Sequence, residues 1–367
     1  MAVTPNKLKR TSLVLMGAAV TAAAMASAAL PASASENHEP PAAPAGYNVK
    51  TFSPVGAESA PDDITRLGDS VYVSFQNGVG PLGEPSAVGA TASIIQQYSL
   101  DGTPGKSWQV TGKVDGLAAD PAHDRLLLTA NEDGNSSFST LTPDQAKPLT
   151  TYTYSGLTHG GGTDAVSVDH GKILVSASAP ADTTGPAAYS VDLQGTIAKL
   201  TPLFSDNATA TAANGPQAGQ TTSLALTDPD SNTVVPSSAP RFKGSFMLDA
   251  QADRQLIFAS NPGIGKQPLQ ALTVAQPLDD TVFAAHAGQT LLVTDPKDNK
   301  VFSVTGPFKA GQAVSTVVPD AGPTYLATLD LGTGTLTPIK ELAAIHPKGL
   351  AFTGTAGETQ DAREDSK

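Results

Sequence analysis

The sequence predicts an all-β protein, a single β-propeller of four-stranded antiparallel blades, with seven blades preferred and six also fitting its length. Three observations predict it: a strand grammar that repeats along the chain, turn signals between the strands, and few windows with helical periodicity.

The repeated unit is an acidic residue, a short apolar strand, a polar turn and a strongly aliphatic strand. Asp63-Ile64-Thr65-Arg66-Leu67 turns at Gly68-Asp69 into Val71-Tyr72-Val73-Ser74, and Asp115-Gly116-Leu117-Ala118 passes Asp120-Pro121 to Leu126-Leu127-Leu128-Thr129. Asp164-Ala165-Val166-Ser167 turns at His170-Gly171 into Ile173-Leu174-Val175-Ser176, and Asp280-Thr281-Val282-Phe283 passes Gly288 into Leu291-Leu292-Val293-Thr294. A weaker copy runs from Phe246-Met247-Leu248-Asp249 to Leu256-Ile257-Phe258. The acidic markers at 63, 115, 164, 249 and 280 recur on average every ~43 residues if the step from 164 to 249 holds two units, and a four-stranded blade takes about 40–50.

Weaker strands supply the outer half of each blade. Ile94 to Leu100 is followed by Asp101-Gly102 and then Ser107 to Thr111, and an Asp-Gly pair between strand-like runs marks a hairpin because both central residues of a primed turn need positive φ. Tyr189 to Leu193 and Tyr325 to Leu331 repeat the outer-strand pattern. Ring closure is expected from mixed termini, with Tyr47 to Phe52 as an outer strand of the blade that carries Gly349-Leu350-Ala351-Phe352; closure removes exposed sheet edges. Ser205 to Pro240, rich in Ala, Thr, Asn, Gly and Pro, breaks the rhythm and reads as one poorly marked blade with a long excursion, a candidate contact surface.

The start of the chain reads as an export signal over 1–34: Lys7, Lys9 and Arg10, then an apolar stretch from Leu13 to Leu30, then Ala32-Ser33-Ala34 as a cleavage site. A leader of Glu, Pro and Ala (35–46) precedes the propeller (47–354), and a polar tail (355–367) follows it; both are too poor in apolar residues to order themselves. The expectation is a secreted, extracellular, monomeric protein. The chain has 367 residues, no cysteine and a formal net charge of −12, which loss of the signal's three cations makes more negative. That sign excludes nucleic acid and anionic membrane as partners, and the missing cysteine excludes thiol chemistry and lipidation at cysteine. A chain of this size buries enough apolar surface to fold without disulfides.

Asp63, Asp115, Asp164 and Asp280 are assigned to equivalent places at the starts of the innermost strands, around one mouth of the central channel. There they either cap the preceding turn or converge on an oxygen-preferring cation such as calcium. No cofactor is required by the pattern. Asn131-Glu132-Asp133-Gly134-Asn135 lacks the spacing of a calcium loop and reads as a turn, although Glu132 and Asn131 resemble the residue types that propeller lactonases and lyases place at the mouth. His159-Gly160-Gly161-Gly162 is followed by a strand rather than a helix, so it reads as a loop and not a phosphate cradle. His123, His170, His286 and His346 fall in turns without pairwise metal spacing, and His38 falls in the leader. No hydrolase motif is present, so the chain is read as a non-enzyme, with a divalent-cation lactonase or lyase at the channel mouth as the alternative.

Pro61-Asp62-Asp63, Val114-Asp115-Gly116-Leu117, His159-Gly160-Gly161-Gly162-Thr163-Asp164, Leu226-Thr227-Asp228-Pro229-Asp230-Ser231-Asn232 and the run Arg241 to Asp249, together with the export signal and the lack of cysteine, make the chain resemble the secreted actinobacterial β-propellers of the dispase autolysis-inducing protein type. The resemblance spans nearly the whole mature chain and implies a seven-bladed propeller that is not itself a protease. It implies that the protein binds an extracellular thermolysin-like metalloprotease and promotes its autolysis. It also implies a glutamine-donor substrate of microbial transglutaminase, with Gln217 and Gln220 in the excursion as the leading candidates and Gln76, Gln276 and Gln360 as others.

Overall fold

A computed structural model describes residues 46–53, 56–262 and 268–354. The expected signal peptide, the leader apart from Gly46, the tail and Gln360 lie outside the described residues. The described chain folds into strands and two short 3-10 turns, Pro121–His123 and Lys340–Leu342.

Strand β1 (Asn48–Ser53) is followed by blade 1, made of β2 (Pro61–Leu67), β3 (Ser70–Phe75), β4 (Ala92–Ser99) and β5 (Pro104–Thr111). Blade 2 is β6 (Val114–Asp120), β7 (Arg125–Ala130), β8 (Ser137–Leu141) and β9 (Leu149–Ser155). Blade 3 is β10 (Gly162–Asp169), β11 (Lys172–Ser178), β12 (Pro186–Gln194) and β13 (Ile197–Ser205), whose start pairs in parallel with the end of β9. The excursion forms a hairpin of β14 (Thr209–Ala212) and β15 (Thr221–Ser223). It is laid on the outer edge of blade 4, which comprises β16 (Pro229–Val234), β17 (Phe246–Ala250), β18 (Gln255–Ala259) and β19 (Leu269–Thr273).

The last two blades are interlocked. After β20 (Leu278–Phe283) the chain makes β21 (Thr290–Asp295) and β22 (Lys300–Thr305), then β23 (Ala313–Val317), β24 (Tyr325–Leu329), β25 (Leu336–Pro338) and β26 (Leu350–Thr353). Blade 5 is ordered β20-β23-β24-β25, whereas blade 6 is ordered β26-β21-β22-β1. The expected closure is present: the N-terminal strand lies outermost and Leu350–Thr353 innermost in one sheet. The expected hairpin of Asp280–Phe283 with Leu291–Thr294 is corrected, because β20 pairs with β23 instead. Blade 6 receives one strand from each end of the described chain and needs two between them, which the excursion from blade 5 supplies.

The innermost strands β2, β6, β10, β16, β20 and β26 pack in that order and back to β2, so the ring closes at six blades, the smaller of the two counts the repeat spacing allowed. The step from 164 to 249 holds one blade start, at Asp230, because the β14–β15 hairpin takes up the extra length. Asp249 correspondingly lies on the second strand of blade 4 and not on an innermost strand.

Period-2 alternation builds the core. Leu126 and Leu128 of β7 pack towards blade 1 with Tyr72 and Ile95, while Leu127 packs towards blade 3 with Val175 and Tyr189. Leu291 and Val293 of β21 face blade 5, and Leu292 faces blade 1 beside Val71 and Phe75. Six apolar clusters result, one at each junction between neighbouring blades.

Candidate functional site at the channel mouth

Each of the first five innermost strands carries a β-bulge near its start. The register shifts between Pro61 and Ile64, Val114 and Gly116, Thr163 and Val166, Pro229 and Asn232, and Leu278 and Asp280. A bulge leaves extra residues without a ladder partner and re-aims their side chains. Aligned on these shifts, the first bulge residue is Asp62, Asp115, Asp164, Asp230 and Asp279 in blades 1 to 5, and Lys348 takes the corresponding place before β26. Five aspartates and one lysine therefore form a ring with one member per blade.

All four predicted carboxylates, Asp63, Asp115, Asp164 and Asp280, line one cavity of about 390 Å3 on the channel axis, so the structure brings them together. Their equivalence is corrected for two of them: Asp63 and Asp280 occupy the second bulge position, and Asp62 and Asp279 are the true counterparts of Asp115 and Asp164. The second-position side chains tie blades together. Asp63 Oδ2 accepts the Leu117 N–H of blade 2 at 2.8 Å, and Asp280 Oδ2 accepts the Leu350 N–H of blade 6 at 2.7 Å. At the same position blade 2 has Gly116, where a Cβ would lie 2.6 Å from the Asp164 carbonyl oxygen of blade 3 and against Thr129 Oγ1.

Behind the bulges the second strands repeat a hydroxyl: Ser74, Thr129, Ser176, Thr316 and Thr294. Ser74 Oγ accepts the Asp63 N–H at 3.0 Å and Thr129 Oγ1 the Gly116 N–H at 2.9 Å. Thr316 Oγ1 donates to the Lys348 carbonyl at 2.7 Å, and Thr294 Oγ1 donates to the Asp62 carbonyl at 2.5 Å. Blade 4 places Asp249 there, fully buried, with neither carboxyl oxygen hydrogen-bonded.

Among the described residues, eight carboxyl groups line the cavity, and the lysines that meet them are Lys113 and Lys348. Lys348 Nζ lies 2.6 Å from Asp279 and 3.8 Å from Asp62; Lys113 Nζ lies 2.8 Å from Asp115 and also pairs with Glu132. Withdrawal from water pushes Asp62 up to about 6, with Lys348 and Lys113 pulling the other way, and pushes Asp280 up to about 7 against the Leu350 hydrogen bond. Burial raises Asp63 and Asp115 well above the ordinary carboxylate range. Burial also raises Asp164 and Asp230 well above the ordinary carboxylate range, and the neighbouring Asp230 carboxyl raises Asp164 further. Burial alone would discharge the lysines, but Asp115 and Glu132 keep Lys113, and Asp279 and Asp62 keep Lys348, firmly protonated.

Among the described residues, carboxylate and imidazole ligand atoms meet within 4.8 Å in a group of three at Asp295, Asp298 and His346, none of which lines the channel cavity. Asp298 and His346 lie far apart along the chain, so spacing alone does not pair them. The 131–135 segment is the expected turn: Asn131 Oδ1 accepts the Lys113 N–H and its amide donates to Asn135 O, while Glu132 reaches the mouth. His159 is a neutral core residue, its Nε2–H donating to the Ser178 carbonyl and its Nδ1 accepting from the Tyr189 hydroxyl, with burial lowering its pKa. The glycines after it serve close approach: a Cβ on Gly162 would lie 2.6 Å from the Asn131 carbonyl oxygen.

Gln217 and Gln220 sit exposed in the β14–β15 turn. Gln76 is tied down instead, its amide donating to Val114 O and Asp115 Oδ1, and Gln276 is half-buried. No helix among the described residues is long and apolar enough to cross a membrane.

No family model matches the chain, and no curated protein matches it in sequence. Solved structures with a similar course include the periplasmic gluconolactonase of Pseudomonas aeruginosa, with TM-score 0.49 and 12% identity over 82% of this chain and 90% of that one. A protein of unknown function from Bacteroides caccae follows at TM-score 0.47 and 8% identity, covering 82% and 88%. The WD40 β-propeller domain of Doa1 follows at 0.40 and 14%, covering 79% and 71%. The β-propeller fold of this chain is given by its own closed ring of four-stranded sheets.

Proposed function

We propose that this chain is a non-catalytic binding propeller that engages an extracellular thermolysin-like metalloprotease and promotes its autolysis. The observation that carries the reading is the construction of the mouth. Its polar groups are committed to one another and to neighbouring blades: Asp63 to Leu117, Asp280 to Leu350, Asp279 to Lys348, and Asp115 to Lys113. Such a ring is a rigid, largely buried mouth tied together from within, and among the described residues it pairs no nucleophile with a base. The partner's identity comes from the resemblance to the autolysis-inducing propellers. Transglutaminase cross-linking belongs to the same reading, with Gln217 and Gln220 on an exposed turn.

One observation favours a second reading, a divalent-cation lactonase or lyase at the mouth: Asp115 lines the cavity and its buried Oδ2 has no hydrogen-bond partner. The two readings separate when the purified protein is incubated with a thermolysin-like protease and both chains are followed over time. Faster loss of intact protease, with no hydrolysis of peptides or lactones by the propeller alone, is the result the binding reading expects. An unchanged protease lifetime together with metal-dependent lactone turnover would replace it with the enzyme reading.

A further inference from the structure

We propose that Asp295, Asp298 and His346 form a binding site for a first-row divalent cation of the zinc type, placed where blade 6 closes the ring. Asp295 ends β21, Asp298 lies in the turn before β22, and His346 lies in the segment that leads to Lys348 and β26. One ligand atom from each comes within 4.8 Å of the others. Donors about 2.0–2.2 Å from a zinc ion lie at most ~4.4 Å apart, so only a small side-chain adjustment is needed.

The second observation is the imidazole. His346 Nδ1 is buried without a hydrogen-bond partner, 3.7 Å from Asp295 Oδ2. A buried ring nitrogen left unpaired beside a carboxylate is the arrangement a metal satisfies. Asp295 is fully buried and already oriented, its Oδ1 accepting the Asp298 N–H at 2.9 Å and its Oδ2 the His346 N–H at 2.8 Å. Backbone bonds of this kind hold both loops around the site before any ion arrives. One nitrogen and two oxygens suit zinc, cobalt or nickel; calcium, which takes six to eight oxygens, is disfavoured.

Lys297 Nζ lies 2.8 Å from His346 Nε2. With metal on Nδ1 the proton moves to Nε2, and the exposed Lys297 side chain swings into solvent. The bound ion joins the β21–β22 turn to the segment carrying Lys348, so occupancy stiffens the single basic member of the mouth ring.

The test is calorimetric titration of the full-length protein with zinc chloride and, separately, calcium chloride, in wild type, His346→Gln and Asp298→Asn. Asp298 is exposed, so its variant keeps the fold, which an unchanged metal-free melting curve verifies. The expected result is one zinc per chain in wild type, with affinity weaker by roughly tenfold or more in both variants. Cobalt should give a visible d–d band that is lost in His346→Gln. Absence of one-to-one zinc binding in wild type, or wild-type affinity in either variant, would overturn the proposal, as would a calcium site of equal affinity.

Discussion

Blades 2 and 6 present the same four-stranded sheet to the ring but are made differently. Blade 2 is one uninterrupted stretch of chain, whereas blade 6 is assembled from β1, the β21–β22 hairpin and β26, separated by most of the sequence. Both have glycine directly after the ring residue, Gly116 and Gly349, where a neighbouring blade comes too close for a side chain. They differ at the ring residue itself, where blade 2 places Asp115 and blade 6 places Lys348. Sheet geometry is thus set by packing between blades and is indifferent to connectivity, while the charge of the mouth is set locally by which segment delivers the inner strand.

The largest expected effect tests the junctions. Leu127→Ala at the blade 2–3 junction and Leu292→Ala at the blade 6–1 junction each remove a fully buried side chain, and each is expected to cost about 2–5 kcal/mol in denaturant unfolding. Equal costs support the indifference to connectivity; a much smaller cost for Leu292→Ala would mean that the closing blade frays on its own. Gly116→Ala, forced against Thr129 and the Asp164 carbonyl, is expected to cost about 1–3 kcal/mol in the same assay.

The mouth predicts a pH dependence of definite sign. Asp62 and Asp280 have folded-state pKa values raised to about 6 and about 7, so between the ordinary carboxylate range and pH 7 the folded state holds protons that the unfolded chain releases. Stability therefore falls as pH rises from about 4 to about 7. Thermal melts should show this decline, Asp280→Asn should flatten it, and Lys348→Met should steepen it by leaving Asp62 without the cation that pulls its pKa down. The smallest effect lies behind the ring. Asp249→Thr restores the hydroxyl found in the other blades and is expected to stabilise by about 0.5–1.5 kcal/mol at pH 8, with little change at pH 4.

Much of the ring was legible because an acidic residue before an aliphatic strand marks a blade start, and β1 beside β26 followed from the need to close the circle. The off-by-one at Asp63 and Asp280 arose because a bulge leaves no trace in residue type when two aspartates are adjacent. Asp230 escaped notice since its strand, Pro229–Val234, has few apolar residues, and Asp249 drew attention instead because it borders the aliphatic run Phe246–Leu248. Lys348 was invisible to a search for acids. His346 and Asp298 meet only through the interlock of blades 5 and 6, which no local pattern encodes.

That interlock is the claim on which the mouth depends, and the absence of cysteine makes it directly testable. Thr281 on β20 and Ser315 on β23 face each other with hydroxyl oxygens 2.8 Å apart. The double variant Thr281→Cys/Ser315→Cys should form a disulfide under mild oxidation of the folded protein, losing both titratable thiols. Two thiols that stay free in the folded, oxidised protein would contradict the pairing of β20 with β23 and, with it, the six-bladed closure.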